Sequence, residues 1–446
     1  MSPRVAVIGA GWSGLACALE LCAAGLPVTL LDAAPQPGGR ARAVAVGLGD
    51  REFTLDNGQH LLIGAYGETL RLMREVGVAA DDALLRLPFE LRYPDGFLLR
   101  RRRLPAPLDL AAGVIGAAQL DWRQRWHIVG FVLRWQWRAW TIAQDAPAST
   151  LFADTPAEVV RRLWRPLCLA ALNVEPADAS AQTLLNVLRD SLAGGAGAAD
   201  LLIPRRDLTQ VFVGPAVGIL RARGAEVRMR SPVRHLSREQ SLWQVAGPGT
   251  AAAAQAVVLA LPPRRAADLL ASMRRPEAEP AIAQLRAIGA APIATVYLRY
   301  RRGLRLPWPA SALLDDPATG RFGQWVFDRG QFDSANAGVL SVVVSAATAA
   351  LAAGPTALSS SVARQLAADL GLPEPLATAV LAEKRATMVP SPGLQRPPTR
   401  LPLPALYLAG DAARGDYPST LEGSVRAGIA AARAIVADRG AGVLAS

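Results

Sequence analysis

Three glycines within six residues set the strongest constraint on this chain. Residues 4 to 14 read Arg-Val-Ala-Val-Ile-Gly-Ala-Gly-Trp-Ser-Gly. Val5 to Ile8 form a short apolar, β-branched run of the kind that makes a buried parallel strand. Gly9, Gly11 and Gly14 follow, and the pattern from Leu15 to Ala24 predicts a helix. At this spacing the first glycine turns the chain sharply. The second lets backbone approach a pyrophosphate, and the third lets the helix close on the strand. A helix N-terminus then offers free N–H groups to phosphates. Ala10 and Ser13 stand between the glycines and belong to the same expected site. Val28 to Leu31 predict a second strand ending at Asp32, whose carboxylate suits ribose hydroxyls and repels a 2′-phosphate. The expectation is an adenine dinucleotide held by a βαβ unit.

The chain has 446 residues, 51% hydrophobic and 19% charged, which suits two or three domains' worth of core and argues against disorder. No apolar run is long enough to span a bilayer. The N-terminus enters a strand at once, so no signal peptide is expected. Cys17, Cys22 and Cys168 suggest packing rather than a disulfide framework, and three histidines without a Cys/His cluster suggest no metal site. The expected location is cytoplasmic, with peripheral contact at the inner face of the cytoplasmic membrane. Net charge is +11, carried almost wholly by arginine, since Lys384 is the only lysine. No nucleic-acid module accompanies it.

Further along, Gly38-Gly39-Arg40 predicts a loop crossing close to the dinucleotide, with Arg40 on its phosphates. Four arginines, Arg100 to Arg103, stand beside Pro105 and Pro107. Leu120 to Ile142 then carries Trp122, Trp126, Trp135, Trp137 and Trp140. At helical spacing, Trp122, Trp126, Val129, Leu133, Trp137 and Trp140 fall on one face, which suits either a membrane interface or a core. Residues 293–300 alternate as a half-buried strand; 339–344 and 382–388 predict two more, with a helix over 356–370 between them. Leu403 to Ala409 predict a last buried strand running into Gly410-Asp411, and Ser424 to Ala437 a closing helix. Asp411 suits a ribityl hydroxyl, and the start of that helix suits the pyrimidine edge of a flavin, where negative charge develops on reduction. The chain is expected to leave the nucleotide domain near residue 90 and return near 205.

Together these motifs resemble the FAD-dependent amine oxidase and phytoene desaturase superfamily. The resemblance covers the whole chain and rests on Gly9 to Gly14, Asp32, Gly38-Gly39-Arg40, the strand around Val233, Ala260-Leu-Pro262-Pro263 and Ala409-Gly410-Asp411. It implies an α/β fold, a Rossmann-like FAD-binding domain of the GR2 flavoprotein type with an inserted α+β substrate domain. The FAD part covers 1–90, 205–265 and 400–446, and the substrate part 91–204 and 266–399. By resemblance the backbone at Val233 meets the adenine, and Asp411 the ribityl chain or pyrophosphate.

A narrower likeness is to the hydroxysqualene dehydroxylase family. It lies in Leu55-Asp56-Asn57-Gly58-Gln59-His60-Leu61 through Tyr66, in Pro204-Arg-Arg-Asp207-Leu208, and in Pro418-Ser-Thr420-Leu421-Glu422-Gly423 through Gly428. The chain departs from that family at Ala412 and Ala413, where a Trp-Thr pair is usual, so no side chain at 412 is expected to stack near the flavin. The likeness places Asn57, Gly58, Gln59, Thr420, Leu421 and Glu422 with Gly39, Arg40 and Gly410 in the cofactor site. It also implies reductive removal of an allylic hydroxyl from a C30 isoprenoid. His60 is the expected proton donor, with Asp56 and Tyr66 behind it, because histidine carries a proton near neutral pH. The electron donor is not indicated. The alternatives are a carotenoid-type desaturase or other flavin oxidase, and a prenyl-binding chaperone of related fold.

Overall fold

The computed structural model describes residues 4–102, 104 and 108–441. Arg103, Pro105 and Pro107 of the basic, proline-bearing run lie outside the described residues, as do residues 1–3 and 442–446.

Five strands form an all-parallel sheet in the order Glu226–Arg228, Val28–Leu31, Val5–Ile8, Ala256–Leu259 and Leu406–Leu408. The last four are apolar runs buried along their whole length, which is what helices on both faces of a parallel sheet require. Val5, Val7, Leu30 and Val258 face one side and pack on the helices Trp12–Ala23 and Leu421–Gly440. Ala6, Ile8, Leu31 and Val257 face the other. They meet helices Pro263–Ser272 and Glu279–Ala287 and the antiparallel meander of His235–Glu239, Leu242–Gly247 and Thr250–Ala254. The first helix begins at Trp12, a turn earlier than its apolar pattern suggests, because Gly11 itself serves as the N-cap. Val233 precedes the meander's first strand instead of lying within a strand.

A second five-stranded sheet is antiparallel, in the order Ala310–Ala312, Trp325–Asp328, Val339–Val344, Ala290–Arg299 and Ala377–Met388. Its strand Ala290–Arg299 was expected to be half-buried; instead Ala294 to Leu298 are buried on both faces. Ala294, Val296 and Leu298 pack on helix Pro355–Leu370. Tyr297 packs on the hairpin of Ala43–Leu48 and Arg51–Asp56. That hairpin carries the Asp56–His60 segment to this sheet.

The tryptophan segment forms the helix Trp122–Trp137, opened by a reciprocal capping pair of Asp121 and Gln124. It is neither wholly core nor wholly surface. Ile128, Phe131 and Trp135 are buried, whereas Trp122, Trp126 and Trp137 are 63%, 69% and 87% exposed. Trp140 does not continue the exposed stripe: it lies past the helix end and is buried. Among the described residues no helix is long and apolar enough to cross a membrane, and no group of three His, Cys, Asp or Glu side chains could hold a metal ion.

Candidate functional site

At the C-terminal end of the parallel sheet two glycine loops run side by side. Gly9 leaves its strand at φ +109°, and its N–H donates to the Leu31 carbonyl at 2.7 Å. A Cβ at Gly9 would stand 2.2 Å from the Ala260 carbonyl oxygen, and one at Gly14 would stand 1.8 Å from the Gly9 carbonyl oxygen. Both positions are closed to any side chain. Gly11 differs, because a Cβ there would meet nothing nearer than Gly39 Cα at 4.0 Å. The Gly38 N–H donates to the Ala10 carbonyl at 2.8 Å, which lays the Gly38–Arg40 loop across the first one. Asp32 fastens this arrangement, its carboxylate accepting from the Ala10 N–H at 2.6 Å and the Ala34 N–H at 2.7 Å. Each oxygen keeps a second lone pair for a hydroxyl donor. Val233 follows Ser231, whose N–H donates to the Asp32 carbonyl at 2.7 Å, so it stands close by.

Ser13 Oγ, on the first helical turn, is buried and has no hydrogen-bond partner among the described residues. A buried hydroxyl without a partner costs free energy. Here it lies at the N-terminus of a helix whose N-cap, Gly11, offers no side-chain hydrogen bond, where an anion's oxygens would satisfy it. The Gly11–Gly39 gap, the open helix N-terminus and this hydroxyl fit the pyrophosphate of FAD.

The chain's last strand brings Gly410 and Asp411 to the same end, with Gly410 at φ +77° close to Ser13. Sequence spacing suggests phosphates as the partner of Arg40. The structure instead sets the Arg40 guanidinium on the Asp411 carboxylate at 2.5 Å and on the Ala386 carbonyl at 2.6 Å. Burial alone would raise the Asp411 carboxyl; Arg40, with Arg396 behind it, outweighs burial and holds it below the usual carboxylate range. Thr420 caps the closing helix through the Gly423 N–H at 3.0 Å, and Leu421 enters the core. Glu422 is engaged within the chain. Its fully buried carboxylate accepts from the Glu68 and Thr69 N–H groups at 3.1 and 2.9 Å and pairs with Arg426 at 2.7 Å. It caps the helix Gly67–Glu75, where backbone donors compensate its charge.

The segment from Asp56 to His60 is clamped against the antiparallel sheet. Tyr297 OH donates to the Asp56 carbonyl at 3.0 Å, and the Gln59 N–H to Thr295 Oγ1 at 3.2 Å. Gln59 Oε1 accepts from Arg329 at 2.8 Å and Ser341 at 2.9 Å. Asn57 reaches the Arg40 carbonyl at 3.5 Å, so the segment lies against the Arg40 loop. Thr295, Arg329 and Ser341 had no local sequence signal; each acts across more than 200 residues.

The His60 ring differs from the expected proton carrier. Burial is the main cause, with Arg40 adding to it, and together they push its pKa down to about 4 against the opposing pull of the Gly58 carbonyl. The neutral ring donates Nδ1–H to that carbonyl at 3.0 Å, which leaves Nε2 as an acceptor. Tyr66 is not poised as an acid either, because burial raises its phenol, which bonds to Thr420.

Within this segment the Asp56 carboxyl is the group pushed towards neutrality. Burial raises it from 3.8 to about 7, against Arg329 and the Leu208 N–H, which its carboxylate accepts at 2.7 Å. The folded chain therefore holds a proton that the unfolded chain has released between these two values. Stability should fall as pH rises through that window. For urea unfolding at pH 5.5 and pH 8, the loss attributable to Asp56 is about 2 kcal/mol. Asp56→Asn keeps the acceptor for Leu208 and should flatten the profile by that amount; an unchanged slope would rule Asp56 out.

Fold and site define an FAD-dependent oxidoreductase. The chain belongs to the family of flavin containing amine oxidoreductases, whose model matches residues 12–436. Within that family it is 30% identical to a hydroxysqualene dehydroxylase of Sinorhizobium fredii, over 97% of this chain and 98% of that protein. To a hydroxysqualene dehydroxylase of Rhodopseudomonas palustris it is 32% identical, over 98% and 99%. A probable zeta-carotene desaturase of Synechococcus elongatus is 23% identical over 54% and 53%. Among solved structures, cyclohexylamine oxidase from Brevibacterium oxydans superposes with a TM-score of 0.71 at 18% identity, covering 99% of this chain and 100% of that one; this likeness is one of fold.

Proposed function

We propose that this flavoprotein removes the allylic hydroxyl of hydroxysqualene reductively, giving squalene and water. The carrying observation is that similarity to the dehydroxylases runs through nearly the full length of both chains. Similarity to the zeta-carotene desaturase is weaker and covers about half of each chain. In this reading residues 1–90, 205–265 and 400–446 hold the cofactor, and 91–204 and 266–399 enclose an apolar C30 chain.

Bound, reduced FAD supplies the hydride equivalent. With it the substrate's C–O bond would break as its oxygen takes a solvent-derived proton and leaves as water, and the hydride would provide the electron pair of the new C–H bond. The chain's task is to bind, orient and exclude water. Ala10, Gly11, Ser13 and Gly39 would hold the pyrophosphate, Asp32 the adenosine ribose, and Gly410 and Asp411 the ribityl side. The Asn57–Gln59 segment, held by Thr295 at the Gln59 N–H and by Arg329 and Ser341 at the Gln59 side chain, makes a rigid wall next to Arg40. His60 Nε2, a bare acceptor at neutral pH, would take the hydrogen of the substrate hydroxyl and point that oxygen's free lone pair towards the incoming proton.

His60→Ala should keep its flavin absorbance and lose about 100-fold in turnover, the usual scale for a positioned acid–base group. Unchanged squalene formation would remove His60 from the mechanism. Incubation of reduced holoenzyme with hydroxysqualene or with phytoene separates the two readings. Squalene from the first supports dehydroxylation, whereas desaturation of phytoene by the oxidised protein supports the carotenoid alternative.

A further inference from the structure

The helix Trp122–Trp137 presents an apolar ridge that nothing among the described residues covers. At about 3.6 residues per turn, Trp122, Trp126, Leu133 and Trp137 fall within roughly 60° of one another, opposite the buried Ile128, Phe131 and Trp135. Leu133 is 56% exposed, and each of the three tryptophans more so. Tryptophan is costly to leave in water and prefers the boundary between hydrocarbon and headgroups, where ring and N–H are both satisfied. Arg123 and Arg134 flank the ridge on one side and Arg125 on the other, the last lying over the Trp122 ring at 5.0 Å.

At the C-terminal end of the ridge a cavity of about 390 Å³ opens between Arg134, Trp135, Trp137, Arg138 and Thr150. Arg134 and Arg138 have no acidic partner among the described residues; Arg138 lies over the Trp135 ring at 5.5 Å. Trp135 is 5% exposed, and its Nε1–H has no hydrogen-bond partner among the described residues. Two guanidinium groups without an acidic partner suit a phosphate oxyanion; the indole N–H, closed to solvent, is not one of its donors. Because the cavity adjoins the fully exposed end of an apolar ridge, that phosphate belongs to a lipid.

We propose that this face seats the protein on an anionic bilayer. The tryptophan ridge lies at the level of the headgroups, parallel to the surface, and one lipid phosphate enters between Arg134 and Arg138. The arrangement gives both signals that stable but reversible surface binding needs, apolar area and basic charge. It goes beyond the proposed reaction and does not depend on it.

Flotation of the flavin-loaded protein with vesicles of phosphatidylcholine, with and without phosphatidylglycerol, tests this. The wild type should float with the anionic vesicles, and less so as salt is raised. The triple variant Trp122→Ser, Trp126→Ser, Trp137→Ser should stay at background with its flavin absorbance unchanged. Arg134→Gln with Arg138→Gln should lose roughly thirtyfold in partition to anionic vesicles, for two arginines at such a surface, and nothing on neutral ones. Undiminished flotation of the triple variant would overturn the proposal. So would an anionic preference that survives the double arginine change. Two further results would assign the face elsewhere: inorganic phosphate binding in titration calorimetry as tightly as the vesicles do, or self-association abolished by the tryptophan changes in a protein that ignores vesicles.

Discussion

Gly11→Ala should yield a folded protein that purifies without its yellow colour. Gly11 sits at φ −73°, which any residue adopts, and its new methyl would stand 4.0 Å from Gly39 Cα, an ordinary contact. The fold loses little. The methyl does occupy the gap between the two glycine loops, where the pyrophosphate approaches. Overpacking of this kind costs about 1–3 kcal/mol, so FAD affinity should fall by up to roughly 100-fold. The variant's melting temperature should match that of flavin-free wild type to within a few degrees and fail to rise when FAD is added. Gly14→Ala makes the contrast. Its methyl would lie 1.8 Å from the Gly9 carbonyl oxygen, and neither the strand nor the helix can give way cheaply. That change should cost about 3 kcal/mol or more and abolish soluble expression. A Gly11→Ala protein that stays fully flavinylated would refute the assignment of this gap.

Arg40→Met should cost about 2 kcal/mol at neutral pH and invert the pH response of the site. The carboxylate of Asp411 is buried and Arg40 is its nearest cation, so removing the cation leaves a charge poorly compensated. Breaking a buried pair from one side typically costs about 3–5 kcal/mol, here discounted because the Arg40 side chain is 36% exposed. The sign follows from linkage. In the wild type Asp411 is held below its ordinary range, so its contribution is present above that range and lost as pH falls through the lowered value. In the variant burial is opposed only by Arg396 and the Ser419 hydroxyl, so the carboxyl should rise and stability be lost as pH rises. Urea unfolding at pH 5 and pH 8, each read as variant minus wild type, should show the larger deficit at pH 8. The double change Arg40→Met with Asp411→Asn should recover part of it. A deficit independent of pH would mean that the ion pair is not the cause.

Much of the cofactor end was legible because its constraints are local. A buried strand of a parallel sheet must be apolar along its length, and the turn after it tolerates only glycine where carbonyl oxygens lie within 2.2 Å of a would-be Cβ. Those demands are written in residues 5–14, and near Gly410 a φ of +77° favours glycine instead. What the sequence did not disclose depends on partners far along the chain. Glu422 opens a helix and reads as a cofactor residue, but the donors that claim its carboxylate are at Glu68 and Thr69, more than 350 residues away. Arg40 reads as a phosphate ligand until Asp411 is placed beside it. His60 reads as a proton carrier by residue type; burial makes it a neutral acceptor. The strand Ala290–Arg299 alternates like a half-buried strand, yet a helix covers one face and a hairpin the other. The tryptophan helix divides its aromatic residues between core and solvent, a partition set by what packs against it.

A single anaerobic turnover decides most directly whether this flavoprotein is a reductive dehydroxylase. Holoenzyme reduced with dithionite, freed of excess reductant and mixed with hydroxysqualene in detergent, should regain the absorbance of oxidised flavin. One squalene should form for each flavin reoxidised. Reduced holoenzyme that keeps its spectrum and forms no squalene, while the oxidised protein is bleached by phytoene, would contradict the proposed reaction.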